Sequence, residues 1–143
     1  MLLIPTQVAP SGIHGNGLFT VAAIAKGTPI YRFLVGFDQV FPPGQWASLP
    51  APVRDFIRHF SYLTPDAHEF ILSGDHARFM NHAENPNTGA PSDEGLSVTT
   101  IALWDLAAGE ELTCDYRKFD GDVAWKLGLV AREAPPGTGW AAS

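Results

Sequence analysis

The chain has a single cysteine, Cys114, in 143 residues, so it can form no internal disulfide and assemble no cysteine cluster around a structural zinc. Long apolar runs are also missing. No stretch has the length needed to cross a bilayer, and Met1-Leu2-Leu3-Ile4-Pro5 has neither the basic flank nor the apolar length of a signal peptide. A soluble cytoplasmic protein without a membrane partner is expected, or a nuclear one where the cell has a nucleus. Positive charge is scarce: nine Lys and Arg face fifteen Asp and Glu, for a net charge of -6. The imbalance is concentrated between Asp75 and Asp122, where ten acidic residues meet only Arg78, Arg117 and Lys118. Such a field repels nucleic-acid backbones and suits a cationic partner, although a merely solvated acidic surface accounts for the charge equally well.

Apolar material is plentiful, with 45% hydrophobic residues including nine phenylalanines, enough for one core. Twelve prolines and fourteen glycines spread along the chain favour short strands joined by turns, so the expected class is mainly β with short helices. Strands are expected over Leu2 to Val8, Leu18 to Val21, Pro29 to Val35, Phe70 to Leu72, Leu96 to Leu103 and Glu111 to Tyr116. The proline-rich stretch Phe37 to Pro52 reads as irregular and Ala83 to Gly95 as a polar loop. Val53, Phe56, Ile57 and Phe60 recur at helical spacing behind Pro52, which predicts one short amphipathic helix. A second helix is expected over 122–129, capped by Asp122. Without repeats or a convincing linker, residues 1–131 read as one domain and 132–143 as a flexible tail.

Several residues invite a chemical reading. Gly15-Asn16-Gly17 would let a backbone approach a ligand closely, or would simply make a tight turn before Leu18. Asn81 and His82 place an amide beside an imidazole, suited to a polar ligand or to a satisfied turn. The histidines His59, His68, His76 and His82 form no i, i+4 pair, and no metal is expected. Glu110 and Glu111 are adjacent on a strand, so their side chains take opposite faces and do not form a catalytic carboxylate pair.

Arg78-Phe79-Met80-Asn81-His82, running on to Asn85-Pro86-Asn87, resembles the signature of the SET family of protein lysine methyltransferases. Gly109-Glu110-Glu111-Leu112-Thr113 with Asp115-Tyr116 looks like the closing motif of the same family, at the expected distance after an intervening strand. Gly12 to Phe19 resembles its amino-terminal glycine loop, and Ile24 to Ile30 the turn and strand that follow. The resemblance spans Val8 to Tyr116. It implies a fold of small curled β-sheets in which the two late motifs form a pseudoknot, here in a small form without the family's cysteine-rich flanks.

The resemblance also implies an activity: S-adenosylmethionine-dependent methyl transfer to the side-chain amine of a lysine in a basic protein or peptide, leaving S-adenosylhomocysteine. By the same likeness Tyr116 is the catalytic residue. Gly15, Asn16, Gly17, Leu18, Phe79, Asn81, His82 and, on the last helix, Trp125 are the cofactor-binding candidates, while Tyr62, Phe70 and Phe119 are candidate channel walls that could equally be core. Ala83-Glu84 stands where many members have Ser-Cys, and Lys118 where an aromatic residue is common. A catalytically silent SET-like module that binds a cationic partner, and a methyltransferase for small-molecule amines or amino acids, are the alternatives.

Overall fold

The computed structural model describes residues 1–91 and 99–129. They divide into two compact units, each assembled from two separated stretches of chain: 1–38 with 73–115, and 39–72 with 116 onward. Short strands dominate the first, helices outweigh strands in the second, and no described helix is long and apolar enough to cross a membrane.

The first unit opens with β1 (Thr6–Pro10) and β2 (Asn16–Thr20), an antiparallel hairpin in register from Thr6 opposite Thr20 to Pro10 opposite Asn16. The expected first strand thus begins later than Leu2, which makes only an isolated bridge to Tyr31. The turn is closed by Ser11, whose N–H donates to the Gly15 carbonyl at 2.8 Å while its hydroxyl accepts the Ile13 N–H at 2.9 Å. β3 (Pro29–Arg32) follows and stops short of Val35, because Gly36 at φ 87° turns the chain and leaves Val35 85% exposed.

Residues 73–115 complete this unit. They begin with a single 3-10 turn, His76–Phe79, with the Asp75 carboxylate accepting the Ala77 N–H at 3.1 Å. β7 (Asn81–His82), β8 (Thr88–Gly89), β9 (Thr99–Ala102) and β10 (Glu111–Cys114) then build two small sheets, ordered β1-β2-β10-β7 and β3-β9-β8. The loop expected over Ala83 to Gly95 thus contains β8, and its residues 92–95 lie outside the described residues, as do 96–98 of the strand expected from Leu96. Leu18, Ile24, Ile30, Met80, Ala102, Leu106 and Leu112 form the core. Burial is not confined to alternate residues: Gly17 and Leu18 are both buried on β2, and Leu112 and Thr113 on β10.

The second unit has its own core of Trp46, Ile57, Leu63 and Phe70. Its sheet is β4 (Gln39–Phe41), β6 (Phe70–Leu72) and β5 (Tyr62–Leu63), all antiparallel in the order β4-β6-β5. The segment Phe37 to Pro52, expected to be irregular, in fact holds β4 and a short helix, α1 (Pro43–Ser48). Proline causes both the ambiguity and the order: Pro43 opens α1 and Pro52 stands in the first turn of α2 (Ala51–Phe60), where a missing N–H costs nothing. On α2 the predicted apolar stripe is only partly buried. Ile57 is in the core, whereas Val53 and Phe56 are more than 40% exposed and Arg58 is buried in their stead.

After Tyr116 the chain makes a 3-10 turn, Tyr116–Lys118, and then α3 (Val123–Lys126). Asp122 stands at the amino end of α3 as expected, but its carboxylate makes no capping bond. It is held by Arg58 instead, at 2.7 and 3.0 Å, and the bidentate geometry fixes the orientation of the carboxylate. The tail expected over 132–143 lies outside the described residues.

Candidate functional site

The first group of candidate residues surrounds the hairpin turn of the first unit. Asn81, buried on β7, points its amide nitrogen at three oxygens: the carbonyls of His14 at 3.0 Å and Asn16 at 3.1 Å, and the Glu111 carboxylate at 2.9 Å. Both amide hydrogens are therefore used inside the protein. Asn81 ties down the glycine loop with that nitrogen. Glu111 in turn accepts the Ser11 hydroxyl with both oxygens, at 2.8 and 2.9 Å. Its neighbour Glu110 lies just before β10 and accepts the Ala107 N–H at 3.1 Å within its own turn.

The two glycines of the loop do different work. Gly15 has φ 48°, a left-handed conformation, and open space where a side chain would go. Gly17 is buried, and a Cβ there would stand 2.2 Å from Glu111 Oε1, an oxygen pinned by Ser11 and Asn81. Gly17→Ala should accordingly cost about 1–3 kcal/mol by overpacking, whereas Gly15→Ala should cost about 1 kcal/mol of backbone strain alone. Urea unfolding of the two variants checks the order. Equal losses would show that the clash at Gly17 is relieved without disturbing Glu111.

The two late motifs are laced together within this unit. Thr113 and Cys114 of β10 pair in parallel with Asn81 and His82 of β7. Asn87 then behaves like a short piece of strand: its side-chain nitrogen donates to the Glu111 carbonyl at 2.8 Å and its side-chain oxygen accepts the Thr113 N–H at 2.9 Å. Thr88 adds a hydroxyl bond to the Thr113 carbonyl, also at 2.8 Å. These bonds are the physical content of the expected pseudoknot. His82 Nδ1 stands 3.6 Å from Asp115 Oδ1, an ion pair when the ring is protonated, which links the first motif to the residue before Tyr116. Phe79 lies beside it in sequence, half-buried, with the Arg78 guanidinium 5.7 Å from its ring centre.

The second group belongs to the second unit and is aromatic. Phe119 meets Tyr62 edge-on with ring centres 5.4 Å apart and Tyr116 at 6.0 Å, so three of the candidates from the sequence share one cluster. Asp120, buried next to it, accepts the Leu63 N–H at 3.0 Å and the Lys126 ammonium. That ammonium also donates to the Ser61 carbonyl and stands 5.9 Å from the centre of the Tyr116 ring. Trp125 is half-buried and lies under the Arg58 guanidinium, 4.1 Å from its ring centre.

Two candidates are core residues. Leu18 is fully buried among the apolar residues of the first unit, with β1 on one side of its strand and β10 on the other. Phe70 is likewise fully buried and packs against Trp46 at 5.5 Å in the core of the second unit. Sequence reasoning missed Ser11, Asn87, Arg58, Asp120 and Lys126 as organising residues. Asn87 stood in a quoted motif. The other four were missed because each has a decisive partner far away in the chain, Glu111 for Ser11, Asp122 for Arg58, Leu63 for Asp120 and Ser61 for Lys126.

The family model for the SET domain matches residues 15–117. The chain belongs to the SET-domain family. Its fold agrees. A humanized mutant of the Chaetomium thermophilum Polycomb Repressive Complex 2 bound to an inhibitor matches 85% of this chain with a TM-score of 0.60 at 20% identity. The same complex in an autoinhibited conformation bound to S-adenosylmethionine matches 88% of it, with a TM-score of 0.59 at 17% identity. This SET chain spans only 16% and 17% of those two chains. A Plasmodium falciparum protein assigned as a histone methyltransferase is matched over 80% of this chain and 95% of its own length, with a TM-score of 0.53 at 16% identity.

Proposed function

We propose that this SET domain transfers a methyl group from S-adenosylmethionine to the side-chain amine of a lysine in a basic protein. The observation that carries the proposal is the family match, with both late motifs inside it and Tyr116 at its end. One similar structure is bound to S-adenosylmethionine, and another is of a protein assigned as a histone methyltransferase. The acidic net charge of -6 suits a cationic substrate.

The residues present fit the cofactor in a restricted way. Gly15 and Asn16 are exposed, and Phe79, His82 and Trp125 are half-buried, so each has surface to offer a ligand. Gly17 contributes through its backbone, and the amide nitrogen of Asn81 is committed to the loop rather than to a ligand. When bound, the cofactor supplies a methyl group on a positively charged sulfur.

The acceptor amine must be neutral to attack. Deprotonating a lysine at pH 7 costs about 4 to 5 kcal/mol from its ordinary pKa, and an apolar aromatic surround lowers that cost by disfavouring the ammonium. Tyr116, Tyr62 and Phe119 provide such a surround, and Tyr116 orients the amine for displacement. The chain's own Lys126 ammonium close to the Tyr116 ring gives a second reading some support, that of a silent module whose aromatic cluster is already served by an internal amine.

Incubation of cell-extract proteins with heavy-methyl S-adenosylmethionine, followed by mass spectrometry, tests the proposal. Heavy methyl on protein lysines with the wild-type chain, lost with Tyr116→Phe, is the expected result. Label found only in small amines would redirect the activity to small molecules. No label at all would leave the silent module as the reading.

A further inference from the structure

Glu111 is the meeting point of the hairpin turn and the first late motif. Its carboxylate accepts the Ser11 hydroxyl at 2.8 and 2.9 Å and the Asn81 amide at 2.9 Å. Each of those two partners goes on to hold the loop. Ser11 accepts the Ile13 N–H at 2.9 Å, and Asn81 donates to the carbonyls of His14 and Asn16. Every residue from Ser11 to Asn16 is half-buried or exposed, so no packing fixes its shape. Hydrogen bonds must do so.

The direction of those bonds has a consequence for the backbone. In a trans peptide the N–H points opposite to the carbonyl of the same unit. With the His14 carbonyl turned to Asn81, the N–H of Gly15 is turned away from it, on an exposed residue whose φ of 48° fixes the neighbouring peptide as well. The clasp therefore decides which way a backbone donor of the glycine loop faces. The buried Gly17 fits the same arrangement, since any side chain there would push the carboxylate off both partners.

We propose that Glu111, acting through Ser11 and Asn81, is a positioning residue that presets the glycine loop to receive the cofactor. The inference rests on the cofactor reading given above. It assigns a role to the closing motif beyond the knot: Glu111 acts on the loop with its side chain, while its backbone carbonyl serves Asn87.

Calorimetric titration of S-adenosylhomocysteine into the wild type, Ser11→Ala, Glu111→Ala and the double variant tests it, with Glu110→Gln as a control. Losing a charge-assisted bond from an otherwise exposed loop should weaken binding about 10-fold in each single variant. The double variant should be no weaker than Glu111→Ala, because Ser11 acts through the carboxylate. Glu111→Gln keeps an acceptor oxygen and should recover most of the affinity. With a methylated substrate in hand, the KM for the cofactor should rise while kcat stays within about twofold.

Amide exchange in the unliganded protein gives a readout independent of the cofactor: Ile13 and His14 should exchange faster in Glu111→Ala. Should Glu111→Ala fail to fold, Ser11→Ala in its half-buried turn carries the test alone. Folded variants that bind as tightly as wild type, or single losses that add in the double variant, would remove the role of Glu111 and leave the cofactor reading intact. A wild type that does not bind S-adenosylhomocysteine overturns the cofactor reading and this inference with it.

Discussion

Asp122→Ala is expected to destabilise the chain by about 3–5 kcal/mol, because it removes the bidentate carboxylate partner of a guanidinium in the protein interior. The side chains of Arg58 and Asp122 are only 10% and 2% exposed, and the pair is bidentate at 2.7 and 3.0 Å. A buried pair of this kind stabilises little relative to apolar residues of equal volume, yet removing one partner takes two charge-assisted hydrogen bonds from a charge that stays desolvated. Arg58→Met with Asp122→Leu should therefore lose much less than either truncation. Arg58→Lys should fall between, since an ammonium keeps the charge but loses both the fork and the stacking over Trp125 at 4.1 Å. Urea unfolding midpoints rank the three variants. A loss below about 1 kcal/mol for Asp122→Ala would mean that the freed guanidinium reaches water.

Asn87→Asp should be about as damaging as Asn87→Ala, at roughly 2–4 kcal/mol, although only one atom changes. Alanine leaves the Glu111 carbonyl and the Thr113 N–H without their buried partner. Aspartate keeps an acceptor for the Thr113 N–H but sets a carboxylate oxygen against the Glu111 carbonyl, 2.8 Å from where an amide nitrogen had donated. Burial and that oxygen raise the folded-state pKa of the new acid above its unfolded value. Its protonated form is favoured in the fold, so the deficit relative to wild type shrinks as pH falls through the raised pKa and is full at neutral pH. Stability curves for wild type and variant between pH 7 and about pH 4 give the difference. A deficit that stays flat would show the site open to water.

The contrast between these two sites marks what could be read from the sequence. Asn87 stood inside a motif and its neighbourhood was legible, because a family signature carries its tertiary partners with it. Local periodicity recovered Phe70 to Leu72 and the helix behind Pro52 for a different reason, since each is decided within a few residues. β4 was not legible, because three residues among prolines become a strand only through Ile71 and its neighbours on β6. Asp122 was assigned to the cap that local chemistry suggests, and a buried arginine 64 positions earlier claimed it. Leu18 and Phe70 show the same limit from the other side. A motif places a residue near a site, but whether its side chain faces ligand or core depends on sheet faces that only the assembled strands define.

The hairpin of β1 and β2 also has a bearing on synthesis. Its second strand finds its other partner only in Leu112 and Glu111, some ninety residues downstream, and Ser11 meets Glu111 across a separation of 100 residues. Until that distant segment leaves the ribosome, β2 presents an unpaired edge and the core around Leu18 lacks Leu112 and Cys114. Closing so long a loop is slow compared with forming a hairpin. Folding of the first unit is thus tied to the arrival of the closing motif, and a nascent chain stalled before Gly109 would expose the surface that chaperones recognise.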